Sequence, residues 1–329
     1  EIVDPNNTFK DRVRIGAYPV EELGGLIFAY VGPEPAPLLP RWDLFVGENV
    51  VREIGWAMLP CNWLQAVENA LDPSHVISLH GRFSRYVLER LGRPNLGREF
   101  TRVGGAAGSQ KPLSDERTEF GWLGRRYVNG EWSPTAGLVF PHMVRTPDGS
   151  FQITVPMDDT HSLYIYYFTY DPAELRTELG LEWPPEEDPR KIPVFEVPVP
   201  EIDGGLDWRI LDNNSGQDLG TWRSQGEIYD RTKEHLGQSD RGVIFYRQLL
   251  DEQLQIVEDG GEPMNTFRDP ERNRRLAIPC GARGVDGALF ALRNAAGVDR
   301  TFSARKYSPV FRAAAVKERG EAALNEPVL

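Results

Sequence analysis

Residues 62 to 80 read NWLQAVENALDPSHVISLH, running from Asn62 to His80. The stretch holds two of the five histidines of the chain. Asn62 suits a helix N-cap, and Gln65 three positions on gives a capping-box-like pattern, so a helix is expected to start here. Glu68, Asn69 and Asp72 follow within an otherwise apolar segment. Carboxylates and imidazoles are rarely buried unless they are paired or bound to a metal, which makes the stretch a candidate mononuclear metal site. Asp72 and His75 are three apart and share a helix face. His75 and His80 are five apart, about 140° around a regular helix at 3.6 residues per turn, and could not hold one ion from it. Pro73 removes a backbone N–H and crowds the carbonyl of Asn69, so the helix should kink or restart there. A π-type bulge after His75 would also bring His80 round. The spacing therefore predicts a distorted helix between Pro73 and His80.

Outward from this stretch, composition narrows the function classes. The chain has 329 residues, 40 % hydrophobic and 26 % charged, enough for a sizeable core in one large domain or two. A net charge of −12 leaves no surplus of Lys and Arg to neutralise phosphates, which argues against nucleic acid and anionic membrane surfaces. No apolar run approaches the ~20 residues a membrane span needs. Cys61 and Cys280 stand far apart and outside any C-x-x-C context, so the cysteine signatures of zinc and iron–sulfur sites are absent. Both are expected to be small buried hydrophobes, and such sparse usage fits a reducing, cytoplasmic compartment, although the two could also form one bridge.

Val13–Ile15 and 26–31 are strand-like, and the proline-dense run 32–40 reads as an extended linker. Residues 50–59 form an expected strand, 82–90 a second helix, and 91–110 a loop that could act as a lid. Asn129-Gly130 and Asp148-Gly149 signal hairpins, with strands at 125–128, 138–144 and 151–157. The aromatic run 162–170 completes an antiparallel meander of about five to seven strands, counting 50–59. Tyr164, Tyr166, Tyr167, Phe168 and Tyr170 in it could wall an aromatic substrate, although core packing explains most of them. Residues 171–200 read as a solvated loop, 215–226 as a short helix and 240–259 as an amphipathic helix. Beyond Gly260 no pattern specifies a fold. His142, His161 and His235 read as structural histidines, with His161 alternatively lining the pocket and His235 alternatively at a subunit contact. For a third metal ligand, residue type alone leaves Asp218, Asp212, Asp158 and Asp159 as rivals.

The pattern N-W-x-Q-x-x-E-N-x-x-D-P-x-H-x-x-x-x-H, with Asn62, Trp63, Gln65, Glu68, Asn69, Asp72, Pro73, His75 and His80 in place, resembles the catalytic signature of Rieske non-haem iron aromatic ring-hydroxylating oxygenases. Val155–His161 (VPMDDTH) resembles a V-P-x-D-D-T-H segment of their large subunits, of the phthalate and phenoxybenzoate dioxygenase type. The run from Gln217-Asp218 through Ser224-Gln225-Gly226 to Asp230-Arg231-Thr232, Glu234-His235-Leu236-Gly237 and Ser239-Asp240 resembles another. The resemblance implies an α+β helix-grip (START/Bet v1-like) catalytic domain, a long antiparallel sheet curved around a long C-terminal helix. It implies a remnant of the Rieske domain plus linker over residues 1–40. The mononuclear iron domain would then cover 41–329, with a C-terminal extension from about 260.

His75, His80 and Asp218 become the expected iron(II) ligands, a facial triad with open positions for oxygen. Asp72 becomes the bridge from an iron ligand to a Rieske-cluster histidine of the neighbouring subunit and, physically, a carboxylate that orients a ligand imidazole. Asn69 and Glu68 are expected to support the ligands. The implied reaction hydroxylates or O-dealkylates an aromatic substrate with O2. Its electrons come from NAD(P)H through a reductase, with or without a ferredoxin, and a Rieske 2Fe–2S cluster, in a homotrimer. Arg102 and Arg145 are candidate partners for a carboxylated substrate. No cysteine precedes Cys61 and no histidine precedes His75, so the cluster ligands C-x-H and C-x-x-H are missing and a truncated oxygenase subunit is expected. Two other classes compete: an apolar-ligand binding module with a vestigial metal site, and a hydrolase using the same facial ligands with zinc and water.

Overall fold

The computed structural model describes residues 12–13, 15–90, 92, 94, 113–128, 131–146, 149–183, 192–201, 207–280 and 304–321. Near the start of the chain, a hairpin pairs β1 (Val20–Leu23) with β2 (Leu26–Ala29). Eight further strands among the described residues form one sheet. They are β3 (Val51–Leu59), β4 (Leu113–Thr118), β5 (Gly121–Val128), β6 (Glu131–Val139), β7 (Met143–Thr146), β8 (Ser150–Pro156), β9 (Ser162–Tyr170) and β10 (Val194–Glu196). Their order across the sheet is β10-β3-β9-β8-β7-β6-β5-β4. β4 to β9 are a continuous antiparallel meander, and β3 returns to pair antiparallel with β9 along its whole length, from Val51 opposite Tyr170 to Leu59 opposite Ser162. β10 joins the β3 edge in parallel, which makes the sheet mixed. Among the described residues the α-helices are α1 (Trp63–Asn69), α2 (Arg82–Arg90), α3 (Pro172–Leu179), α4 (Asn214–Ser224), α5 (Arg241–Glu258) and α6 (Pro309–Arg319). None is long and apolar enough to cross a membrane.

Side chains alternate across a strand, so each strand feeds two cores. Tyr164, Tyr166, Phe168 and Tyr170 of β9 pack on one face with Ala66 of α1, Leu219 and Trp222 of α4, and Val310 and Phe311 of α6. Farther along the same face, Trp122, Leu138 and Val144 meet Val243, Tyr246 and Leu249 of α5. This helical face carries the histidine segment. Tyr167, Phe151, Ile153 and Leu123 point to the other face and pack against Leu23, Trp42, Phe45, Phe267 and Ile278. There the β1–β2 hairpin is tied down by the Tyr167 hydroxyl, which donates to the Gly24 carbonyl at 2.7 Å. Trp42 sits edge-on to both Phe120 and Phe267, with ring centroids 5.2 and 6.0 Å away. The fold is α+β, as expected.

Several local expectations change. Val13 and Ile15 are not in a strand; the pairing begins at Val20. The run 138–144 is not one strand, because the chain turns at Phe140–His142 between β6 and β7. Residues 171–200 are not simply a solvated loop. Asp171 caps α3 by accepting from Ala173 N, and β10 adds a strand to the sheet. The patternless tail is built in at two places: Leu38 and Trp42 bridge to Phe267 and Leu276, and α6 packs on the helical face. Asn129-Gly130, Asp148, Arg102 and most of the 91–110 lid lie outside the described residues.

Candidate metal centre

The local geometry begins with α1. Asn62 caps it by accepting from Leu64 N at 3.1 Å. Gln65 does not complete a capping box. Its amide reaches across to the chain after α4, donating to Gly226 O at 3.2 Å and accepting from Tyr229 N at 3.0 Å. This buried link fixes α4 against α1. The helix stops before Pro73, and the Asp72 carboxylate restarts the chain by accepting from Ser74 N at 2.7 Å and His75 N at 3.2 Å. Val76–Gly81 is then a π-helix, the distortion that the five-residue spacing requires. Each π turn takes up an extra residue, so His80 comes round onto His75, and their ring centroids are 5.0 Å apart.

The third group arrives from α4. Asn213 caps that helix by accepting from Gly216 N at 2.9 Å and donates to Ile210 O at 2.8 Å. The tight turn presses Gly216 against the Ile210 carbonyl, where a Cβ would overlap it. Asp218 follows one turn in and faces the histidines. Ligand atoms of His75, His80 and Asp218 all lie within 4.8 Å of one another, and among the described residues no other such His/Cys/Asp/Glu group forms.

Each imidazole is held by its Nδ1. That of His75 donates to the Asp72 backbone carbonyl, and that of His80 donates to Gln217 Oε1 at 3.0 Å. Both Nε2 atoms are therefore left facing the gap, His80 Nε2 at 3.3 Å from Asp218 Oδ1. Once the His80 Nε2 proton is displaced, as metal binding requires, two imidazoles and one carboxylate would each present a lone pair inward, a donor set that suits a divalent transition metal. Burial holds the His75 ring below the ordinary imidazole range despite the Asp218 charge. For His80 burial acts the same way, but the Asp218 charge and hydrogen bond outweigh it, and the ring titrates above that range.

Asn69 lies at the centre, its Nδ2 donating to Asp218 Oδ1 at 3.4 Å and standing 3.5 Å from His75 Nε2. The Asp72 carboxylate serves the helix restart, and it is the Asp72 carbonyl that orients the imidazole. Glu68 does not support the ligands. It accepts from Arg231 Nη1 at 2.5 Å and Arg247 Nε at 2.6 Å, in a four-charge network with Glu234. Of the rival acids, Asp212 is buried against Lys306, and Asp158 accepts from Thr160 N and His161 N in an exposed turn. Asp159 is exposed, and its carbonyl accepts from Asn62 Nδ2. His142 is at the β6–β7 turn, and His161 and His235 are exposed. Arg145 is buried on the opposite face of the sheet, 3.8 Å from Asp43, and does not reach this site. Tyr164 and Tyr166 lie close enough to Asp218 that its charge, added to their burial, raises both hydroxyls. Sequence reasoning missed what Gln65 and Gln217 do, and that Ser84 Oγ accepts from Gln217 Nε2 at 2.8 Å. Gln217 was visible in the Q-D motif, but nothing in the pattern said what its amide holds.

No protein-family model matches the chain. It is 31 % identical over 290 residues to the 5,5'-dehydrodivanillate O-demethylase oxygenase subunit of Sphingobium sp. (strain NBRC 103272 / SYK-6), covering 85 % of this chain and 62 % of that protein. It is 28 % identical over 302 residues to the phthalate 4,5-dioxygenase oxygenase subunit of Pseudomonas putida, covering 78 % and 63 %. It is 29 % identical over 269 residues to the phenoxybenzoate dioxygenase subunit alpha of Ectopseudomonas oleovorans, covering 75 % and 59 %. The chain thus spans about three fifths of the length of these curated relatives. Among solved structures, the terminal oxygenase of carbazole 1,9a-dioxygenase from Novosphingobium sp. KA1 aligns with a TM-score of 0.43 at 16 % identity, over 75 % of this chain and 69 % of that one.

Proposed function

This chain is a relative of the oxygenase subunits of Rieske-type aromatic oxygenases, and on that footing we propose that it is the catalytic part of such a subunit. In this reading His75 Nε2, His80 Nε2 and Asp218 hold one non-haem iron(II). The observation that supports it is the convergence of those three groups within 4.8 Å. Bound there, iron(II) supplies the redox chemistry that joins O2 to an aromatic substrate, as hydroxylation or O-dealkylation. The protein groups do the rest. The Asp72 carbonyl and Gln217 hold the two rings with their lone pairs inward. Asn69 donates to the carboxylate and steadies it. Of the three donor residues His80 is buried, while His75 and Asp218 keep partial access to solvent.

Electrons in this reading come from NAD(P)H through a reductase, with or without a ferredoxin, and a Rieske 2Fe–2S cluster. Asp72 is the path from a neighbouring subunit, in a homotrimer. Its carboxylate is only partly buried, and its carbonyl touches a ligand ring, which suits a bridging role. Residues 1–40 are the end of a Rieske domain and its linker. The test is anaerobic reconstitution with iron(II), followed by metal analysis and oxygen uptake with a chemical reductant. One iron per chain, lost in His75→Ala, His80→Ala and Asp218→Ala, is expected. No iron uptake, with binding of apolar ligands retained, would favour the binding module. Zinc-dependent hydrolysis without oxygen uptake would favour the hydrolase.

A further inference from the structure

We propose that Gln217 is a positioning residue for the metal centre: its amide, locked in one orientation, pins the His80 proton on Nδ1 and keeps Nε2 free as the ligand atom. The inference rests on reading His75, His80 and Asp218 as a metal site.

An amide side chain has an acceptor end and a donor end, and which way it points is decided by its neighbours. Gln217 Nε2 donates to the Leu211 carbonyl at 2.9 Å and lies 2.8 Å from Ser84 Oγ. A backbone carbonyl can only accept. Turning the amide over would set two acceptors against each other, and Gln217, at 1 % exposure, has no solvent to relieve that. Gln217 Oε1 must therefore face His80 Nδ1, at 3.0 Å.

With an acceptor fixed there, the proton of a neutral His80 belongs on Nδ1. The other tautomer would set the Nδ1 lone pair against Oε1. It would also spend the Nε2 proton on Asp218 Oδ1, 3.3 Å away, closing the site with an internal hydrogen bond. His75 reaches the same end by another device, because its Nδ1 donates to the Asp72 carbonyl, a backbone acceptor that cannot turn. Only the His80 device depends on a side chain. It also depends on Ser84 of α2, so the helix that follows the π-segment helps to set a ring within it.

The test uses Gln217→Leu, Gln217→Glu and Ser84→Ala in the full chain. Co(II) binding is titrated by absorption, and the His80 Nδ1–H proton is followed by nitrogen-15 NMR in the Zn(II)-loaded protein. Gln217→Leu should bind Co(II) about 10- to 100-fold more weakly, the usual effect of losing a partner that orients a ligand. Its Nδ1–H proton should also exchange quickly. Gln217→Glu keeps an acceptor at Nδ1, so it should bind far better than the Leu variant and retain a protected Nδ1–H. Ser84→Ala should lie between wild type and Gln217→Leu. A role in packing alone predicts the reverse order, since a buried carboxylate beside the Leu211 carbonyl is the worse fit. Equal losses in the Leu and Glu variants, or wild-type affinity and an unchanged Nδ1–H in Gln217→Leu, overturn the proposal. If Gln217→Leu does not fold, the Glu and Ser84→Ala results decide. Failure of wild type to bind Co(II) at all would instead overturn the metal reading beneath it.

Discussion

At the residue scale, groups that look alike in sequence do different work. Asn69 and Glu68 are adjacent, yet Asn69 faces the candidate ligands while Glu68 bridges two arginines. Asn69→Ala removes a donor to Asp218 and should weaken iron(II) binding by about tenfold, at the low end for a partner of a ligand. Asp218→Ala removes a proposed ligand and should abolish binding; both are read by anaerobic titration. Glu68→Ala takes one of the two carboxylates from the half-buried Arg231 and Arg247 and leaves them to share Glu234. Hydrogen bonds to charged groups are worth more than neutral ones, so about 2 kcal/mol of stability should be lost in urea melts. Iron affinity should stay unchanged, and a tenfold drop in affinity would mean that the network reaches the site after all. His75 and His80 were legible because their spacing forbids a shared ion on a regular helix, which made the distortion itself a prediction. Asp218 was not legible from spacing, since it comes from another helix and three other acids were equally plausible by residue type. Only the resemblance singled it out.

At the scale of elements, the site is made where two helices are interrupted or crowded. The break at Pro73 and the π-helix Val76–Gly81 present the histidines, and a tight entry into α4 presents Asp218. That entry depends on Gly216, whose missing Cβ leaves room for the Ile210 carbonyl. In Gly216→Ala the obstacle is backbone, which cannot swing away as a side chain would. The first turn of α4 must shift, carrying Gln217 and Asp218 with it. A cost of about 1 to 3 kcal/mol is expected for such overpacking, together with loss of iron(II) binding under conditions where the protein remains folded. Retained binding would show that the entry to α4 has slack. The meander was legible because its strands alternate and are punctuated by turn residues. β10 was not, since a three-residue edge strand in an acidic, proline-rich stretch carries no period to read.

Across the whole molecule, two returns of the chain close the sheet. Residues 265–280 cover one face, pinned to 38–43, and α6 covers part of the other. Neither was legible, because what holds them is contact with residues distant in the sequence, up to 257 positions away, rather than any local pattern. The α6 return is anchored on a buried acid. Glu53 of β3 is fully enclosed and accepts from Val310 N at 2.8 Å, and the Arg305 guanidinium lies 4.2 Å above the Phe168 ring. Burial is the main cause that pushes the Glu53 carboxyl up to about 7, from 4.5 for a free side chain. Between those two values the folded chain holds a proton that the unfolded chain has released. Stability contributed by Glu53 is therefore fully present below pH 4.5 and declines as pH rises, until the folded carboxyl has ionised near pH 7. Over that window the loss is about 3 kcal/mol, because holding a proton against each tenfold fall in its concentration is worth roughly 1.4 kcal/mol. Glu53→Gln keeps an acceptor for Val310 N and has no proton to lose. In urea melts its stability should match wild type near pH 4.5 and exceed it by a few kcal/mol at pH 8. Comparing the two proteins at each pH cancels every other titrating group. A difference that does not change with pH would mean that Glu53 ionises in the fold without cost, with Arg305 and the α6 N-terminus compensating its charge.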